Sequence, residues 1–313
     1  MIKLPSTSVA AHGKASLGAD VTVAMSAYGN HAATVSALQS LFLSAEGDFE
    51  LMLIDNDSPD AEVKALLRQA KAEHTDTTLF VFPENREYTG AVNAILSHAK
   101  GRWVLFLSND IFVTPYYLRE IMAAACADER NGIVRGCSNF VDNGKPTHNV
   151  RLARPPASYE ELFAIGRQVA EQMPGELLVD EFLTGDAFLV SRAVLDRIGT
   201  FDPVFYGYFA DHDLGIRAQI AGFRLILAQR AFAYHQQAAN FNYLPQPLQE
   251  KKLAERWGLV ERNWHHFKAK YGMPAELPYT SIQHVPWKAL ASQPFDPSRH
   301  FVKPGDYLAD HVA

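Results

Sequence analysis

The sequence predicts an α/β fold with a mostly parallel central sheet flanked by helices. Short, strongly apolar runs alternate with segments of helical period through the first half of the chain. The runs are apolar at nearly every position, as in strands that are covered on both faces. With 313 residues, of which 48% are hydrophobic, the chain is long enough to bury a large core. Strands that alternate with helices imply right-handed crossovers, and hence parallel neighbours.

Four strand and helix pairs are predicted before residue 130. The strands are the apolar runs at 21–25, 51–54, 79–82 and 103–107. Apolar residues at helical spacing follow each run, at 35–42, 63–70, about 90–98 and 115–125. Another strand begins at Ile133.

The second half is less regular at first. Prolines at 146, 155 and 156 indicate loops within 142–174. An apolar run then covers 182–190, strands are predicted at 225–227 and 232–234, and glycines end helices at 192–198 and 211–221. A helix over 248–271 and a proline-containing tail close the chain. The predicted domains are an N-terminal extension (1–20), a main domain (21–238, with halves 21–137 and 138–238) and a helical C-terminal extension (239–313).

Composition excludes several classes of protein. The chain has 29 basic and 35 acidic residues, a net charge of −6, which argues against nucleic-acid binding. Cys126 and Cys137 have no metal-ligand spacing and indicate a reduced compartment. No apolar run reaches the roughly 18 residues of a membrane span, and no apolar signal segment opens the chain. We therefore expect a cytoplasmic protein, with peripheral contact at the inner face of the membrane left open.

Two common phosphate-binding motifs are missing. The position after the first strand holds Ser26-Ala-Tyr-Gly-Asn30 in place of G-x-G-x-x-G, which disfavours hydride transfer. No G-x-x-x-x-G-K-[ST] loop occurs, so a P-loop site is excluded.

Carboxylates follow two of the predicted strands. The second strand ends in Asp55-Asn-Asp57 and the fourth in Ser108-Asn-Asp110. Ligands of open α/β sheets bind at these carboxyl ends. Carboxylates repel a phosphate unless a cation lies between them, and Mg²⁺ or Mn²⁺ takes oxygen ligands from both groups. The pattern predicts a metal-bridged nucleotide, although a single strand-end aspartate could instead cap the next helix.

Several motifs follow one another in a specific order over about residues 21–271. The first two are the turn Ser26-Ala-Tyr-Gly-Asn30 and Ile54-Asp-Asn-Asp-Ser58, which is similar to V-D-N-x-S. The remaining motifs are Asn85-Arg-Glu-Tyr-Thr-Gly-Ala-Val-Asn93 (N-x-G-[FY]-[AS]-x-x-x-N), the DXD-type Ser108-Asn-Asp110, Thr184 to Arg192 (T-G-x-x-x-L-x-R), Gly199 to Asp202 (G-F-D), Ala210-Asp-His-Asp-Leu214 (E-D-x-D-L) and Tyr234-His235. In this order they resemble the motifs of glycosyltransferase family 2, an inverting family with the GT-A fold.

The resemblance implies a nucleotide-diphosphate sugar as donor, with UDP or dTDP as the expected nucleotides. It implies Asp110 and His235 as contacts of a divalent metal, Mg²⁺ or Mn²⁺, that bridges the phosphates. His235 could instead be a histidine satisfied within the sheet rim, and Asn85 and Asn93 could serve only as caps and packing residues. The implied nucleotide-sugar contacts are Ala27, Tyr28, Asp55, Asp57, Asn85, Asn93 and Asn109.

The resemblance implies Asp211 as the general base that deprotonates an acceptor hydroxyl. The acceptor would be a saccharide or a lipid-linked saccharide, and the transferred group a hexose or deoxyhexose. Asp211 and Asp213 both begin a predicted helix, so either could be only a helix cap. His212 is expected at the surface or on the acceptor side. The aromatic loop 201–209 could stack against a sugar or belong to the core.

Two positions depart from the family pattern. Ser108 replaces the first acidic residue of the DXD-type motif, and Ala210 replaces the glutamate of the E-D pair. These changes keep open a second hypothesis, a nucleotide-sugar-binding or scaffold protein that has lost catalysis. A third hypothesis, a nucleotidyltransferase, is disfavoured because the glycine- and lysine-rich N-terminal loop is missing.

Overall fold

The computed structural model describes residues 7–236, 246–307 and 311–312. Strands and helices alternate as predicted. The strands are β1 (Ala15–Ser16), β2 (Val21–Ala27), β3 (Ala45–Glu46), β4 (Glu50–Asp55), β5 (Thr77–Val81), β6 (Trp103–Ser108), β7 (Ile111–Phe112), β8 (Asn131–Ser138), β9 (Leu177–Val179), β10 (Ala187–Ser191), β11 (Arg224–His235) and β12 (His311–Val312). The helices are α1 (His31–Ser44), α2 (Ala61–Glu73), α3 (Glu87–His98), α4 (Pro115–Cys126), α5 (Tyr159–Gln172), α6 (Arg192–Ile198), α7 (Ala210–Ile220), α8 (Gln246–Tyr271), α9 (Trp287–Ala291) and α10 (Pro297–His300).

One large sheet carries the fold. Within the described residues its order is β12-β5-β4-β2-β6-β10-β8-β11-β7, with β9 paired to β11. The first-half strands β5, β4, β2 and β6 are parallel, and so are β8 and β11. The carboxyl ends of β2, β4 and β6 therefore meet at one edge of the sheet, as the sequence predicted. These parallel pairings confirm the predicted α/β architecture with a mostly parallel sheet.

Strand β10 runs against the parallel direction. It lies between β6 and β8 and is antiparallel to both. The chain leaves β8, passes through a long connection that includes α5, and enters β10 at the edge of the sheet where β8 ends. The predicted strands 225–227 and 232–234 form the single strand β11, which is irregular between Ala228 and Phe232.

Both faces of the sheet are covered. Helices α1, α2 and α4 pack on one face through residues such as Leu38, Leu67 and Leu118. Helices α3, α6, α7 and α8 pack on the other through residues such as Ile95 and Phe267. All six residues of β4 are buried, which explains the uninterrupted apolar character of this run.

Helix α5 occupies part of the segment predicted as irregular. Its signal is present in the sequence: Ser158 accepts a hydrogen bond from the Glu161 backbone N–H, which is the S-x-x-E pattern of a helix start. Leu162, Phe163 and Val169 then bury one face. The prolines at 155 and 156 precede this helix and do not interrupt it.

Residues near the end of the chain pack against earlier elements of the fold. Val302 forms backbone hydrogen bonds with Ile198 and Thr200, and β12 adds an antiparallel strand to β5. The predicted boundary between the main domain and the C-terminal extension, at residues 238 and 239, lies outside the described residues. None of the described helices combines the length and apolar character that a bilayer span needs.

Candidate functional site

The carboxyl end of β4 forms a tight turn around Asp55. One carboxylate oxygen of Asp55 accepts a hydrogen bond from the Ser58 backbone N–H at 2.8 Å, and the Ser58 hydroxyl accepts one from the Gly29 N–H at 3.0 Å. Burial raises the pKa of Asp55 in spite of this hydrogen bond. Asp57 has a left-handed backbone with φ of 56° and a side chain that remains accessible. The two carboxylates therefore differ: Asp55 holds the turn, and Asp57 points to solvent.

Asn85 lies beside this turn. Its side-chain oxygen accepts hydrogen bonds from the Asn56 amide at 3.2 Å and from the Glu87 N–H at 2.7 Å. Asn56 in turn accepts a hydrogen bond from the Arg86 N–H. Asn56, for which the sequence implied no role, thus links the end of β4 to the start of α3.

Asn109 supports the turn after β2. Its amide donates to the Thr34 hydroxyl at 2.8 Å and, more weakly, to the Gly29 carbonyl at 3.4 Å. Ala27 is buried at the end of β2, whereas Tyr28 is an exposed aromatic residue on this turn. Of these predicted nucleotide contacts, Tyr28 and Asp57 present accessible side chains.

The side chain of Asn93 hydrogen-bonds to the protein backbone. Its amide donates to the Phe201 carbonyl at 2.9 Å, and its oxygen accepts from the Phe201 N–H at 2.8 Å. The residue is buried on α3. The structure thus gives Asn93 the packing role that the sequence left open.

Asp110 and His235 meet at the end of β6. The Nε2 of His235 lies 3.4 Å from an oxygen of Asp110, and its Nδ1 lies 3.7 Å from Asp186. Burial alone would lower the pKa of His235, but the hydrogen bond to Asp110 and the two negative charges outweigh it and raise this pKa to about 9. Asn139 fixes the His235 backbone through two hydrogen bonds.

Asp186 is a site residue that sequence reasoning missed. It pairs with the buried Arg135 at 3.0 Å and faces His235 from the loop before β10. The signal was available, because Asp186 directly follows the Thr184-Gly185 pair of the T-G motif. Only the long-range contact with His235 distinguishes it from a surface aspartate.

The donor set at this point fits a divalent metal that takes further ligands from a diphosphate. Asp110 offers carboxylate oxygens and His235 an imidazole nitrogen, ligands that suit Mn²⁺ and Mg²⁺ to different degrees. Among the described residues, no group of three or more His, Cys, Asp or Glu side chains surrounds a single metal position. The Asp110 and His235 pair would therefore supply part of the coordination and leave the remainder to phosphate oxygens and water.

Asp211 begins helix α7 with a fixed carboxylate. One oxygen accepts a hydrogen bond from the Gly185 N–H at 2.8 Å, and the other accepts from the His212 N–H at 2.9 Å. Tyr88 donates to the Gly185 carbonyl at 2.8 Å, and burial together with the nearby Asp211 and Asp186 raises its pKa well above the ordinary value. Tyr88 thus remains a neutral donor that braces the loop holding Asp211.

Asp213, two residues later, belongs to the core. It is fully buried and contacts Arg217 at 2.6 Å, Lys270 at 2.7 Å and the Tyr271 hydroxyl at 2.8 Å. These partners outweigh burial and lower the pKa of Asp213. The structure gives this carboxylate a stabilising role between α7 and α8.

A cleft of about 710 Å³ opens beside Asp211 and the end of β6. Ser108, Asp186 and Asp211 line its wall, so the end of β6 and the start of α7 open into the same space. His212 also lines it, with Nδ1–H donating to the Leu183 carbonyl and its ring packed among Phe182, Phe209 and Trp287. His212 therefore lies in the cleft wall, and its expected acceptor-side role stays a prediction. In the loop 201–209, Phe201, Phe205 and Phe209 are core, while Tyr206 is exposed.

Solved structures share this fold. The mannosyltransferase PcManGT from Pyrobaculum calidifontis, solved with GDP-Man and Mn²⁺, is 19% identical with a TM-score of 0.50 over 70% of this chain and 58% of that one. GalNAc-T7, solved with UDP, GalNAc and Mn²⁺, is 14% identical with a TM-score of 0.55 over 69% of this chain and 43% of that one. At these identities the likeness concerns the fold, and it confirms the GT-A expectation.

Sequence comparison leads to the same family. The O-antigen biosynthesis protein RfbC of Myxococcus xanthus is 24% identical over 197 residues, which cover 61% of this chain and 15% of that protein. The chain spans between 15% and 56% of the length of four curated relatives that it matches. A model of the family described as glycosyl transferase family 2 matches residues 22–199, more than half of the chain. The chain therefore belongs to glycosyl transferase family 2.

Proposed function

We propose that the chain transfers one sugar from a nucleotide-diphosphate sugar to a hydroxyl group of a saccharide acceptor, with inversion at the anomeric carbon. One observation carries this proposal: the oriented Asp211 carboxylate lines the same cleft as Asp186 and as Ser108, the last residue of β6, which lies two residues before Asp110. A base and a diphosphate-binding end are thereby brought to one reaction space. The family match and the polysaccharide-related name of one relative support this class of reaction.

Asp211 acts as the general base in this proposal. Its carboxylate accepts a proton from the acceptor hydroxyl while that oxygen bonds to the anomeric carbon. The bond between the anomeric carbon and the phosphate oxygen breaks on the opposite face, and the nucleoside diphosphate leaves with the electron pair. The backbone donors at Gly185 and His212 hold the carboxylate in place, so little reorganisation accompanies the proton transfer.

Asp110 and His235 would hold the divalent metal beside the departing diphosphate. When bound, such an ion offsets the negative charge that develops on the leaving group. The solved neighbours bound Mn²⁺ with GDP-Man or UDP, which supports a metal-dependent donor site without naming the nucleotide of this chain. We retain UDP or dTDP as the proposed nucleotide and Mn²⁺ or Mg²⁺ as the proposed metal.

The nucleoside would lie against the turn after β2 and the end of β4. Tyr28 offers an exposed ring for the base, and Asp57 an accessible carboxylate for ribose hydroxyls or a base N–H. Asp55, Asn85 and Asn109 hold these two turns in position through the contacts described above. The nucleotide-binding half would thus span 21–137, and the acceptor half 138–238.

A second candidate is a nucleotide-sugar-binding protein that has lost catalysis. The observation behind it is that Ala210, at the family's glutamate position, is fully buried and brings no carboxylate to the site. This candidate predicts nucleotide binding without donor turnover.

The test compares two carboxylates of the same cleft, Asp211→Asn and the exposed Asp142→Asn. We expect Asp211→Asn to lower kcat for transfer by roughly 10²–10⁴, the usual range for loss of a general base, while nucleotide binding stays unchanged. Asp142→Asn should retain at least about half of the wild-type kcat. Near-normal turnover by Asp211→Asn would remove the base assignment, and absence of any donor turnover in the wild type would favour the binding-protein candidate.

A further inference from the structure

Helix α8 carries an apolar stripe that runs from the core into the cleft. Its members alternate at intervals of four and three residues, which places them on one face of a helix. They are Leu253, Trp257, Val260, Trp264, Phe267 and Tyr271. The last four are buried against the core, whereas Trp257 is 54% exposed and Leu253 is 53% exposed. The apolar stripe thus extends two positions, Leu253 and Trp257, past the part of the helix that is buried in the core.

These two side chains lie on the wall of the cleft that contains Asp211. Leu253, Trp257 and Val260 line it together with Asp186 and Asp211. The carboxylate of Asp211 is 14% exposed, so it lies deeper than the open indole of Trp257. At about 710 Å³, the cleft falls in the range of roughly 300–1,000 Å³ that encloses whole drug-sized ligands. It can therefore hold more than the single sugar ring that reacts.

The charges around the cleft favour a neutral ligand. Among its described lining residues, Arg256 is the one Arg or Lys, and it is paired with Asp142 at 3.2 Å and lies over the Tyr208 ring. Asp211 adds negative charge, whereas the charge of Asp186 is offset by its ion pair with Arg135. An anionic ligand in this part of the cleft would be repelled by the Asp211 carboxylate, and Arg256 is already paired with Asp142.

The surroundings of the stripe favour a saccharide over a lipid chain. A lipid needs a contiguous apolar surface, but Leu253 and Trp257 are flanked by the Lys251 and Glu255 ion pair and by Arg256. An exposed indole bordered by polar groups suits a sugar ring, whose C–H face packs on the aromatic plane while its hydroxyl groups bond to neighbours such as Arg256.

We propose that Leu253 and Trp257 form a stacking platform for a second, non-reacting sugar, and that the acceptor is therefore a neutral oligosaccharide of at least two residues. The reacting sugar lies at Asp211 and its neighbour lies on the platform. This inference rests on the proposed function, because it assigns the acceptor of that same cleft.

The test measures binding and glycosylation of matched neutral mono-, di- and tetrasaccharides, with uronic-acid analogues alongside. Each is presented with UDP-, dTDP- and GDP-sugars and Mn²⁺. The proteins are the wild type, Trp257→Ala and Trp257→Phe, with Val179→Ala as the control for loss of exposed apolar surface away from the cleft. We expect neutral oligosaccharides to exceed their monosaccharides by about tenfold or more, as for a central aromatic contact. Trp257→Ala should erase that preference, while Trp257→Phe and Val179→Ala keep most of it.

The outcomes separate this inference from the proposed function. Thermal stabilisation by a nucleoside diphosphate and slow hydrolysis of the donor depend on the donor site and do not depend on the platform. Both should therefore persist in Trp257→Ala. One result is that donor binding and hydrolysis persist while mono- and oligosaccharides are used equally, and another is that they persist while Trp257→Ala keeps the preference for oligosaccharides. Either result would reject the stacking platform and leave the proposed glycosyltransferase function intact. If no donor is bound or hydrolysed, both proposals fail. Binding to vesicles of phosphatidylglycerol and phosphatidylethanolamine that requires Trp257, with no oligosaccharide preference, would replace the saccharide with a lipid.

Discussion

The Asp211 carboxylate accepts a hydrogen bond from the Gly185 backbone N–H at 2.8 Å, across 26 residues of sequence. This contact ties the start of α7 to the loop that bears Asp186, which in turn faces His235. One short loop therefore contacts both the proposed base, Asp211, and the proposed metal ligand His235. A change in this loop should affect catalysis more than stability.

Gly185→Ala tests this connection directly. A methyl group at this position would lie 2.0 Å from the Tyr88 hydroxyl and 2.9 Å from the Asp211 Cβ, so both side chains must move. We expect kcat for transfer to fall by about 10²-fold, the scale of an ångström-size misplacement. Gly258→Ala, on α8 with open space around it, is the matched control and should leave kcat unchanged. Equal activity of the two variants would show that the loop does not position Asp211.

Asp213→Ala should lower the free energy of unfolding far more than a substitution of Asp211, which lies on the same turn of α7. Its removal leaves the buried Arg217 without its carboxylate partner, which typically costs about 3–5 kcal/mol. Urea unfolding followed by circular dichroism measures the loss, with Asp211→Asn as the comparison. Asp211→Asn should lie within about 1 kcal/mol of the wild type, because Asp211 is bound by two backbone N–H groups that an amide oxygen also satisfies in part. A similar loss in both variants would contradict the division of roles.

The acid stability of the protein should depend on Asp180. Burial alone would raise the pKa of this carboxyl, but the hydrogen bonds and charges of His148 and Lys145 outweigh it and lower the pKa to about 2. Because the folded pKa lies below the unfolded value of about 3.9, the stabilisation is complete above about pH 4 and is lost as the pH falls toward 2. Unfolding free energies between pH 5 and 2.5 should fall less steeply for Asp180→Asn than for the wild type. Parallel curves would exclude this linkage.

Glu87 should tolerate glycine better than a branched residue. Its φ of 51° is in the left-handed region, and it stands where the family pattern has glycine. Relief of that backbone cost, about 1 kcal/mol, is offset by the entropy of glycine, so Glu87→Gly should change the unfolding free energy by less than about 1 kcal/mol. Glu87→Val should cost more than Glu87→Gly, because a β-branched residue is disfavoured at positive φ. The melting temperatures of the two variants decide the point.

Much of the fold could be predicted because local pattern and burial agree. Strand β4 is buried along its whole length and is apolar along most of it, and the glycines at 199 and 222 follow the ends of α6 and α7. The direction of β10 could not be predicted, because it depends on how a long connection returns to the sheet. Helix α5 was not predicted, although Ser158 and Glu161 mark its start. The prolines before it led to the whole segment being interpreted as loop.

The proximity of Asp110 and His235 could be predicted, because in both cases a motif coincides with a strand end. Tyr88 and Asp186 were missed because their importance lies in contacts across the fold, with Gly185 and His235, that spacing along the chain does not encode. The packing role of Asn93 has the same origin, since Phe201 is 108 residues away.

The most direct measurement is the melting temperature of the wild type and of Asp110→Ala with UDP, dTDP, GDP and CMP, each with and without Mn²⁺ or Mg²⁺. We expect one nucleoside diphosphate to raise the melting temperature of the wild type by several degrees with metal, since a ligand at 100 times its Kd adds about 2.7 kcal/mol. The rise should be much smaller without metal and in Asp110→Ala. If none of these nucleotides shifts the wild type, or if Asp110→Ala responds equally, the metal-bridged donor site is contradicted.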